Sequence, residues 1–358
     1  MEIHPNIGAA RTIPSRFYTD PAIFADAKER IFARTWQWVS DTDGLRAPGT
    51  VAPHTLLEGC LDEPIVVTRD MNDQIHVVSN VCTHRGMLVA ESGGNERFLR
   101  CRYHGRRFGL DGCFQFMPEF DGVSGFPSEA DSLPKIPHDI WGKFLFASVD
   151  PLAGLSDFLK PVIERLGWLP LQEFSFEPSR ARDYLVKAHW ALYVDNYLEG
   201  FHIPFIHAGL NESLDYGNYI TEQYDWSNLQ CAHGKPGEDK FDLPVYSPDY
   251  GKPISAYYYW VFPNLMLNFY PWGLSINVVR PLGPELTKVS FLPYVWNASR
   301  LGMGAGAELD RVEREDEVVV EAVQRGLKSR LYDRGRYSPA REANVHHFHQ
   351  LLAKCLTS

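Results

Sequence analysis

The sequence predicts an α+β fold, with a small antiparallel β domain followed by a larger domain that pairs an antiparallel sheet with a long helix. Short β-rich runs separated by turns fill the region from 39 to 150. Four more such runs follow one another between 255 and 296, and residues 308–331 place spaced apolar positions among many charges, as a surface helix does. We therefore predict one domain at 39–150 and another formed by 1–38 with 151–358.

Composition and charge narrow the classes of function. The chain has 358 residues and a formal net charge of −10, so a nucleic-acid role has no electrostatic support. No apolar run is long enough to span a membrane, and the N-terminus lacks the apolar segment of a signal peptide. The six cysteines form no paired framework and fit a reducing compartment. We expect a soluble cytoplasmic protein.

The first predicted helix begins at Pro21. Asp20 is a residue that caps helix N-termini, and proline is favoured at the first helical position. The following residues place one apolar face on this helix, formed by Ile23, Phe24, Ala27, Ile31 and Phe32.

The small domain is predicted from four β-rich runs and one turn. The runs are 64–68, 75–78, 98–100 and 143–148. Asp111-Gly112 is a strong hairpin signal between such runs. The segment 150–155 is predicted to be the linker that leaves the domain.

The larger domain is predicted to mix strands and helices. We expect a strand over 181–190 and a helix over 192–200, followed by a long loop over 211–253, which is rich in Asn, Asp, Gly, Pro and Tyr. The later strands are predicted at 255–262, 265–270, 274–280 and 287–296, and a final helix at 345–356.

Two loops in the small domain carry metal-ligand residues. Cys82 and His84 form C-x-H, and Cys101 and His104 form C-x-x-H. A Rieske [2Fe–2S] cluster binds one iron through two cysteines and the other through two histidines, so a loop with one residue of each type can serve both irons. A zinc site is the alternative, but zinc fingers more often separate the two ligand types into different pairs.

A second metal signature follows in the larger domain. His202 and His207 are five residues apart, and two histidines with one carboxylate form the facial triad that binds non-heme Fe(II). Four acidic residues of the long helix compete for the third position: Glu313, Glu315, Asp316 and Glu317. The alternatives are a pair of structural histidines and an acidic helix face exposed to solvent.

These motifs resemble a known family. The segments CTHRG and CRYHGRRFGLDG, followed by DNYLEGFHIPFIH, are similar to the large (alpha) subunit of Rieske non-heme iron oxygenases. Arg106 after the His-Gly pair, and MPEF at 117–120, resemble the branch of choline, carnitine and betaine monooxygenases. The resemblance implies an N-terminal Rieske domain and a C-terminal helix-grip catalytic domain that contains mononuclear iron.

The resemblance also implies roles for individual residues. Asp316 matches the carboxylate ligand of the iron. Glu199 matches the carboxylate that links the iron of one subunit to a Rieske histidine of its neighbour, for which His104 is the expected partner. Asn196 matches an asparagine near the iron. Asp195 is a candidate for orienting a ligand imidazole, although it could equally make a structural hydrogen bond.

The expected protein partners are inferred from the same resemblance and from the absence of a nucleotide-binding motif. The glycine run at 302–306 lacks the preceding strand and the pattern of a nucleotide loop, so electrons must come from another protein. We expect a separate NAD(P)H-dependent flavin/iron–sulfur reductase, with or without a ferredoxin. The resemblance implies a head-to-tail homotrimer, or two stacked trimers, with electron transfer between subunits.

The substrate is inferred from aromatic residues and from the branch. An aromatic cage would bind a quaternary ammonium through cation–π attraction. The candidates for such a wall are Tyr257, Tyr258, Tyr259, Trp260, Phe269, Tyr270 and Trp272, which could equally fill the core. We predict hydroxylation or oxidative N-dealkylation of a quaternary-ammonium or N-methylated compound by O₂. The alternative is an aromatic-ring-hydroxylating dioxygenase, and a third, less favoured hypothesis is a Rieske electron carrier without catalytic activity.

The remaining histidines are predicted to have structural positions. His346, His347 and His349 lie close together on the last helix and are expected to face the polar surface or to cap neighbouring elements.

Overall fold

The structure, a computed structural model, describes residues 2–207, 220–304 and 309–357 and divides into two compact units. The small unit is Ala33–Leu152. The large unit combines Met1–Phe32 with Ala153–Ser358. Of the residues predicted to lie in loops or helix ends, 211–219, 305, 306 and 308 fall outside the described part of the chain.

The small unit is built from short antiparallel strands. They are β1 (Gln37–Asp41), β2 (Thr50–Leu56), β3 (Glu63–Arg69), β4 (Ile75–Ser79), β5 (Gly94–Asn95), β6 (Leu99–Arg100), β7 (Arg107–Phe108), β8 (Phe114–Phe116), β9 (His138–Trp141) and β10 (Phe144–Ala147). They form sheets in the orders β1-β10-β9, β4-β3-β2-β5 and β6-β7-β8.

Strand β3 is buried on both faces, which explains its continuous apolar run. Ile65 and Val67 pack in one apolar cluster with Leu145 of β10. Val66 points to the other face, where the cluster includes Cys82 and Cys101. Because successive side chains alternate across a strand, this one element supports both the core of the unit and the floor of the cysteine loops.

The predicted turn at Asp111-Gly112 lies between β7 and β8, as expected. Gly112 has φ +81°, and a Cβ at this position would lie 2.9 Å from Cγ1 of Val78. Both the backbone conformation and the close approach therefore require glycine here.

The large unit contains helices and one broad antiparallel sheet. The helices are α1 (Arg16–Thr19), α2 (Pro21–Arg30), α3 (Leu155–Leu166), α4 (Trp190–Tyr197), α5 (Ile203–Ile206), α6 (Leu309–Gly326) and α7 (Ala343–Thr357). The strands are β11 (Ser175–Phe176), β12 (Arg182–Val186), β13 (Ile220–Tyr224), β14 (Ser227–His233), β15 (Ile254–Val261), β16 (Leu265–Tyr270), β17 (Gly273–Gly283) and β18 (Leu286–Val295). Their order in the described sheet is β11-β18-β17-β16-β15-β14-β13, and β12 also pairs with β18.

The four later strands lie within a few residues of their predicted positions, and so do α2 and α7, whereas α6 ends at Gly326, short of the predicted end at 331. Asp20 caps α2, because its side chain accepts a hydrogen bond from the N–H of Ala22 at 2.9 Å. The predicted strand over 181–190 is shorter, Arg182–Val186, and the predicted helix over 192–200 is Trp190–Tyr197.

The long loop predicted over 211–253 is wrong where it covers β13 and β14. Strand β14 is buried and pairs along its length with β15. This strand could not be recognised from its sequence, because several of its buried positions are polar residues whose hydrogen bonds are made with distant parts of the chain. Gln230, for example, donates from Nε2 to the carbonyl of Tyr197 at 2.6 Å.

The surface position predicted for the C-terminal histidines is also wrong. His346 and His349 are 6% and 1% exposed, and both belong to hydrogen-bonded networks inside the large unit. His346 Nε2 donates to the carbonyl of His4 at 2.8 Å. Their partners lie far away along the chain, so helical position alone could not reveal their burial.

Candidate metal centres and adjoining cavity

The two cysteine loops of the small unit have the same backbone design. The N–H of Cys82 donates to the carbonyl of Met87, and the N–H of Gly86 donates to the carbonyl of Cys82. In the second loop the N–H of Cys101 donates to the carbonyl of Arg106, and the N–H of Gly105 donates to the carbonyl of Cys101. The two glycines have φ +75° and +76°. Each loop is thus a tight turn with a cysteine at its base.

The ligand types are separated by depth. Cys82 and Cys101 are 3% and 2% exposed, whereas His84 is half-buried and His104 is exposed. The two imidazole centroids lie 4.8 Å apart. Burial raises the pKa of the Cys82 thiol, and the neighbouring Cys101 adds to this effect, so a bound cation would be needed to keep the Cys82 thiolate ionised. Two buried sulfurs and two outward imidazoles fit a [2Fe–2S] cluster.

A zinc ion is the alternative occupant of these loops, and tetrahedral zinc sites can combine two cysteines with two histidines. Here each loop contributes one buried cysteine and one more exposed histidine. Each loop can therefore serve both irons of a two-iron cluster, with the sulfurs on the inner iron and the imidazoles on the outer one.

Arg106 supports the second cysteine loop from inside. It is 2% exposed, its Nη2 lies 2.6 Å from Oδ1 of Asp131, and its guanidinium lies 5.0 Å from the ring centroid of Phe114. This ion pair lowers the pKa of Asp131. The arginine that follows the His-Gly pair therefore links the cysteine loop to the segment around 131.

The second centre is assembled by one short helix and one long helix. His202 and His207 flank the single turn α5, which places both imidazoles on the same side. Asp316 of α6 faces them, with Oδ1 at 3.5 Å from Nε2 of His202 and 3.0 Å from Nε2 of His207. The two predicted histidines and one predicted carboxylate thus meet at a single point.

Each of these imidazoles is held from behind by another carboxylate. Nδ1 of His202 donates to Oε1 of Glu199 at 2.8 Å, and Nδ1 of His207 donates to Oε2 of Glu315 at 2.7 Å. A carboxylate accepts only, so Nδ1 of each ring carries a proton, and a metal bound beside Asp316 would meet the lone pair of Nε2. Glu315 was not predicted to have this role. Because several acidic residues are adjacent in the sequence, the sequence alone could not show which of them contacts His207.

Asp195 does not make the orienting contact for which it was a candidate. Its carboxylate accepts from the hydroxyl of Tyr18 at 2.6 Å and from Nε2 of His349 at 2.8 Å. The other ring nitrogen of His349 bonds to the hydroxyl of Tyr337 at 2.7 Å. Asp195 therefore connects α4 to the N-terminal segment and to α7, which is the structural hydrogen-bonding role that the sequence left open.

The acidic run of α6 has four different environments. Asp316 joins the two histidines, Glu315 supports His207, and Glu317 accepts from Arg314 at 3.0 Å. Glu313 is 3% exposed and accepts from the hydroxyl of Tyr193 at 2.6 Å. The alternative of an acidic helix face exposed to solvent is therefore wrong for this run, because each acidic side chain of α6 contacts a different partner.

The centre attracts positive charge. Burial lowers the pKa of His207, but hydrogen bonds and charges from Asp316 and Glu315 outweigh that effect and raise it above its ordinary value. Two Nε2 atoms and a carboxylate oxygen within 4.8 Å of one another form a donor set that suits Fe(II). Both the charge and the donor types of this site fit a divalent metal.

A cavity of about 120 Å³ adjoins this centre. Asn196, Glu199, His202, His207 and Asp316 contribute to its wall, so the predicted asparagine lies beside the metal site. The rest of the described lining consists of Tyr193, Tyr197, Ile203, Gln230, Tyr258, Asn268, Tyr270, Asn277, Phe291, Val312 and Glu313.

The predicted aromatic wall is only partly present. Tyr258 and Tyr270 line the cavity with ring centroids 5.9 Å apart in an edge-to-face arrangement. Tyr257 and Tyr259, the neighbours of Tyr258, point to the opposite face of β15, where their hydroxyls bond to Asp249 and to the carbonyl of Pro161. The alternation of side chains along a strand decides which aromatic rings reach the cavity.

Among the described residues, no helix is both long enough and apolar enough to cross a membrane.

Comparison with known proteins gives matches over most of the chain. Residues 172–358 match the family described as ring hydroxylating alpha subunit (catalytic domain), and residues 35–127 match the Rieske [2Fe-2S] domain. The chain is 33% identical to the chloroplastic choline monooxygenase of Arabidopsis thaliana, over 98% of this chain and 85% of that one. It is 28% identical to the carnitine monooxygenase oxygenase subunit of Escherichia coli K12, over 96% and 94%.

The fold of the chain is also similar to that of a solved structure. It is that of a quaternary ammonium Rieske monooxygenase, reported for insights into carnitine oxidation by gut microbiota and inter-subunit electron transfer. It matches with a TM-score of 0.78 and 25% identity, covering 99% of each chain. The predicted resemblance and fold class are confirmed.

Proposed function

The chain belongs to the family of ring-hydroxylating oxygenase alpha subunits, and from this premise we propose that its substrate is a small quaternary-ammonium or N-methylated compound. It is the oxygenase component of its system, an oxidoreductase that incorporates O₂ and contains a Rieske [2Fe–2S] cluster and a mononuclear iron. A separate reductase supplies its electrons. Hydroxylation or oxidative N-dealkylation of the substrate is the proposed reaction.

The observation that carries this proposal is the chemistry of the cavity beside the iron site. Tyr258 and Tyr270 present aromatic faces and edges, and the acidic residues Glu199, Glu313 and Asp316 also line the cavity. No lysine or arginine is among the described residues that line it. Aromatic rings with nearby anions are the usual means by which proteins bind a quaternary ammonium.

The proposed metal ligands are those that the geometry brings together. Cys82, His84, Cys101 and His104 would hold the cluster, and His202, His207 and Asp316 would hold the iron. Iron held by these residues would supply the activation of O₂, since two histidines and one carboxylate are the donor set of non-heme Fe(II) oxygenases. Glu199 and Glu315 keep the two imidazoles in the tautomer that directs Nε2 toward the metal.

The wall residues bind and orient the substrate. Tyr258 and Tyr270 would contact the ammonium methyl groups, and their rings would keep water away from that end of the cavity. Asn268 accepts from the hydroxyl of Tyr197 at 2.6 Å, which leaves its amide N–H groups as donors for a polar substituent.

The proposed assembly is a homotrimer, or two stacked trimers, in which a cluster reduces the iron of the next subunit. Glu199 is the proposed junction with His104 of the neighbouring subunit, and the exposure of His104 leaves it accessible for that contact. The proposed donor is an NAD(P)H-dependent flavin/iron–sulfur reductase, with or without a ferredoxin. A reducing cytoplasm is the proposed location, in keeping with the absence of disulfides among the described cysteines.

Turnover with a panel of compounds tests the proposed function. The purified protein, NADH and a reductase would be supplied with O₂ and with either quaternary ammonium compounds or arenes. We expect oxygen uptake with stoichiometric product only for the ammonium compounds. Uptake and hydroxylated product confined to the arenes would reject the proposal in favour of ring dioxygenation.

A further inference from the structure

Glu313 has a buried carboxylate oxygen without a partner among the described residues. Oε2 accepts from the hydroxyl of Tyr193 at 2.6 Å, whereas the buried Oε1 has no hydrogen-bond partner in that part of the chain. The side chain is 3% exposed and lines the cavity beside the iron site. A buried polar atom left unpaired is costly, so the occupant of the cavity is expected to interact with it.

The charges around the cavity leave Glu313 without a counter-ion. Asp316 and Glu199 can balance a divalent metal, through direct ligation and through His202 respectively. Glu315 also bonds Arg311 at 3.2 Å. Once ionised, Glu313 would therefore carry a negative charge that none of these pairs offsets.

Among the described residues, no basic side chain lines the cavity to offset that charge. The described lining contains no lysine or arginine. The two internal segments that the structure does not describe, 208–219 and 305–308, contain none in their sequence either. A carboxylate on a substrate would therefore find no cation in this cavity apart from the metal.

Glu313 favours its neutral form in the protein alone. Burial raises its pKa to about 8, Asp316 and Glu317 add to this effect, and the Tyr193 hydrogen bond and the charge of Arg314 oppose it. A monocation bound in the cavity would favour the ionised form.

We infer that Glu313 makes this cavity selective for a monocation, a trimethylammonium compound whose other end is neutral, over a zwitterion that also carries a carboxylate. The inference rests on the proposed function and narrows its substrate class. The cation would lie against Tyr258 and Tyr270 with Glu313 as its counter-charge, and a substrate carboxylate would be repelled by the same group.

Binding calorimetry on the purified holoprotein, without reductant, tests this selectivity. Choline is the monocation, glycine betaine is the zwitterion with the same trimethylammonium group, and 3,3-dimethylbutan-1-ol is the neutral analogue of choline. We expect choline to bind at least about tenfold more tightly than either of the others, since an unpaired charge in a desolvated site costs this much or more.

Two variants assign the effect to Glu313. Glu313→Gln keeps the size of the side chain and an acceptor for Tyr193 but removes the charge, and it should weaken choline binding about tenfold while leaving the neutral analogue unchanged. Glu321→Gln makes the same charge change on α6 outside the cavity lining, keeps an acceptor for the N–H of Lys187, and should leave choline binding unaltered. Iron content and thermal unfolding of both variants verify that they are folded and loaded.

The outcomes separate this inference from the proposed function. Equal affinity for choline and glycine betaine would overturn the selectivity and leave the quaternary-ammonium function intact. Unchanged choline affinity in Glu313→Gln would overturn the role of this residue. Failure of both trimethylammonium compounds to bind, with binding of an arene, would overturn the proposed function itself. The wild-type comparison decides the selectivity even if Glu313→Gln does not fold.

Discussion

Oε1 of Glu199 lies 2.8 Å from Nδ1 of His202, so the two residues form a hydrogen-bonded pair within one turn of the chain. Oε2 of the same carboxylate accepts the backbone N–H groups of Phe201 and His202. Glu199 thus fixes both the backbone and the ring of a proposed iron ligand. A contact with a neighbouring cluster would add to these bonds.

Substitution of Glu199 separates its orienting role from its proposed role between subunits. Glu199→Gln keeps an acceptor for Nδ1–H of His202, so iron content should be retained while reoxidation of the reduced cluster in a single turnover becomes slower. Glu199→Ala removes the acceptor and should also lower iron content. Rapid-mixing spectroscopy and metal analysis measure the two effects. Wild-type rates of cluster reoxidation in Glu199→Gln would contradict the role in transfer.

Glu315 should control the affinity of the site for iron. Removal of the carboxylate behind His207 in Glu315→Ala frees the ring to rotate, and loss of such a partner typically weakens metal binding about 10–100-fold. Metal-competition titration would measure this change. Glu317→Ala is the matched control, because its carboxylate bonds to Arg314 rather than to a ligand. Equal affinities in the two variants would exclude the orienting role.

Asp316→Ala should remove one iron and leave the other two. Asp316 contacts both His202 and His207, so its loss leaves the mononuclear site with two ligands. The cluster lies in the loops of the small unit, and its visible absorption and reduced-state EPR signal should be unchanged. Iron analysis and turnover complete the test. Loss of the cluster signal together with the mononuclear iron would argue against independent sites.

Gly112→Ala should destabilise the small unit. Its φ of +81° disfavours any side chain, and the added Cβ would lie 2.9 Å from Val78. We expect a loss of roughly 1–3 kcal/mol in the free energy of unfolding. Gly44→Ala is the control, since a Cβ there meets nothing within 4 Å. Thermal or denaturant unfolding of the pair measures the difference, and similar losses would refute the steric argument.

His189 should contribute to unfolding in acid. Burial lowers its pKa to about 3, well below its ordinary value, so it stays neutral in the folded protein while the unfolded chain takes up a proton. Its contribution is complete above the ordinary pKa near 6.5 and is lost as the pH falls toward 3, by at most about 1.4 kcal/mol per pH unit.

The matching variant is His189→Asn. Nδ1 of His189 accepts from the N–H of Ala191 at the start of α4, and asparagine can cap a helix in the same way without titrating. Denaturant unfolding between pH 7 and 4 should show a shallower loss of stability for this variant. Parallel curves for the two proteins would rule out His189 as a source of the acid sensitivity.

The sequence by itself determined the features that depend on short spacing. His202 and His207 flank one helical turn, and each cysteine loop closes on its own glycine, so neighbouring residues bring these ligands together. The later strands also followed from local pattern, because β-branched and aromatic runs between turns need no knowledge of distant partners.

Only the tertiary structure decided which partner each acidic residue of α6 contacts. It also decided which polar residues are buried. Glu313, Glu315 and Asp316 differ in the helix face that packing turns toward Tyr193, His207 and the cavity. The bond between Asp195 and His349 joins residues far apart in the chain. Local periodicity carries no information about such pairs, because the direction of a side chain is local whereas its partner is set by how helices and strands pack.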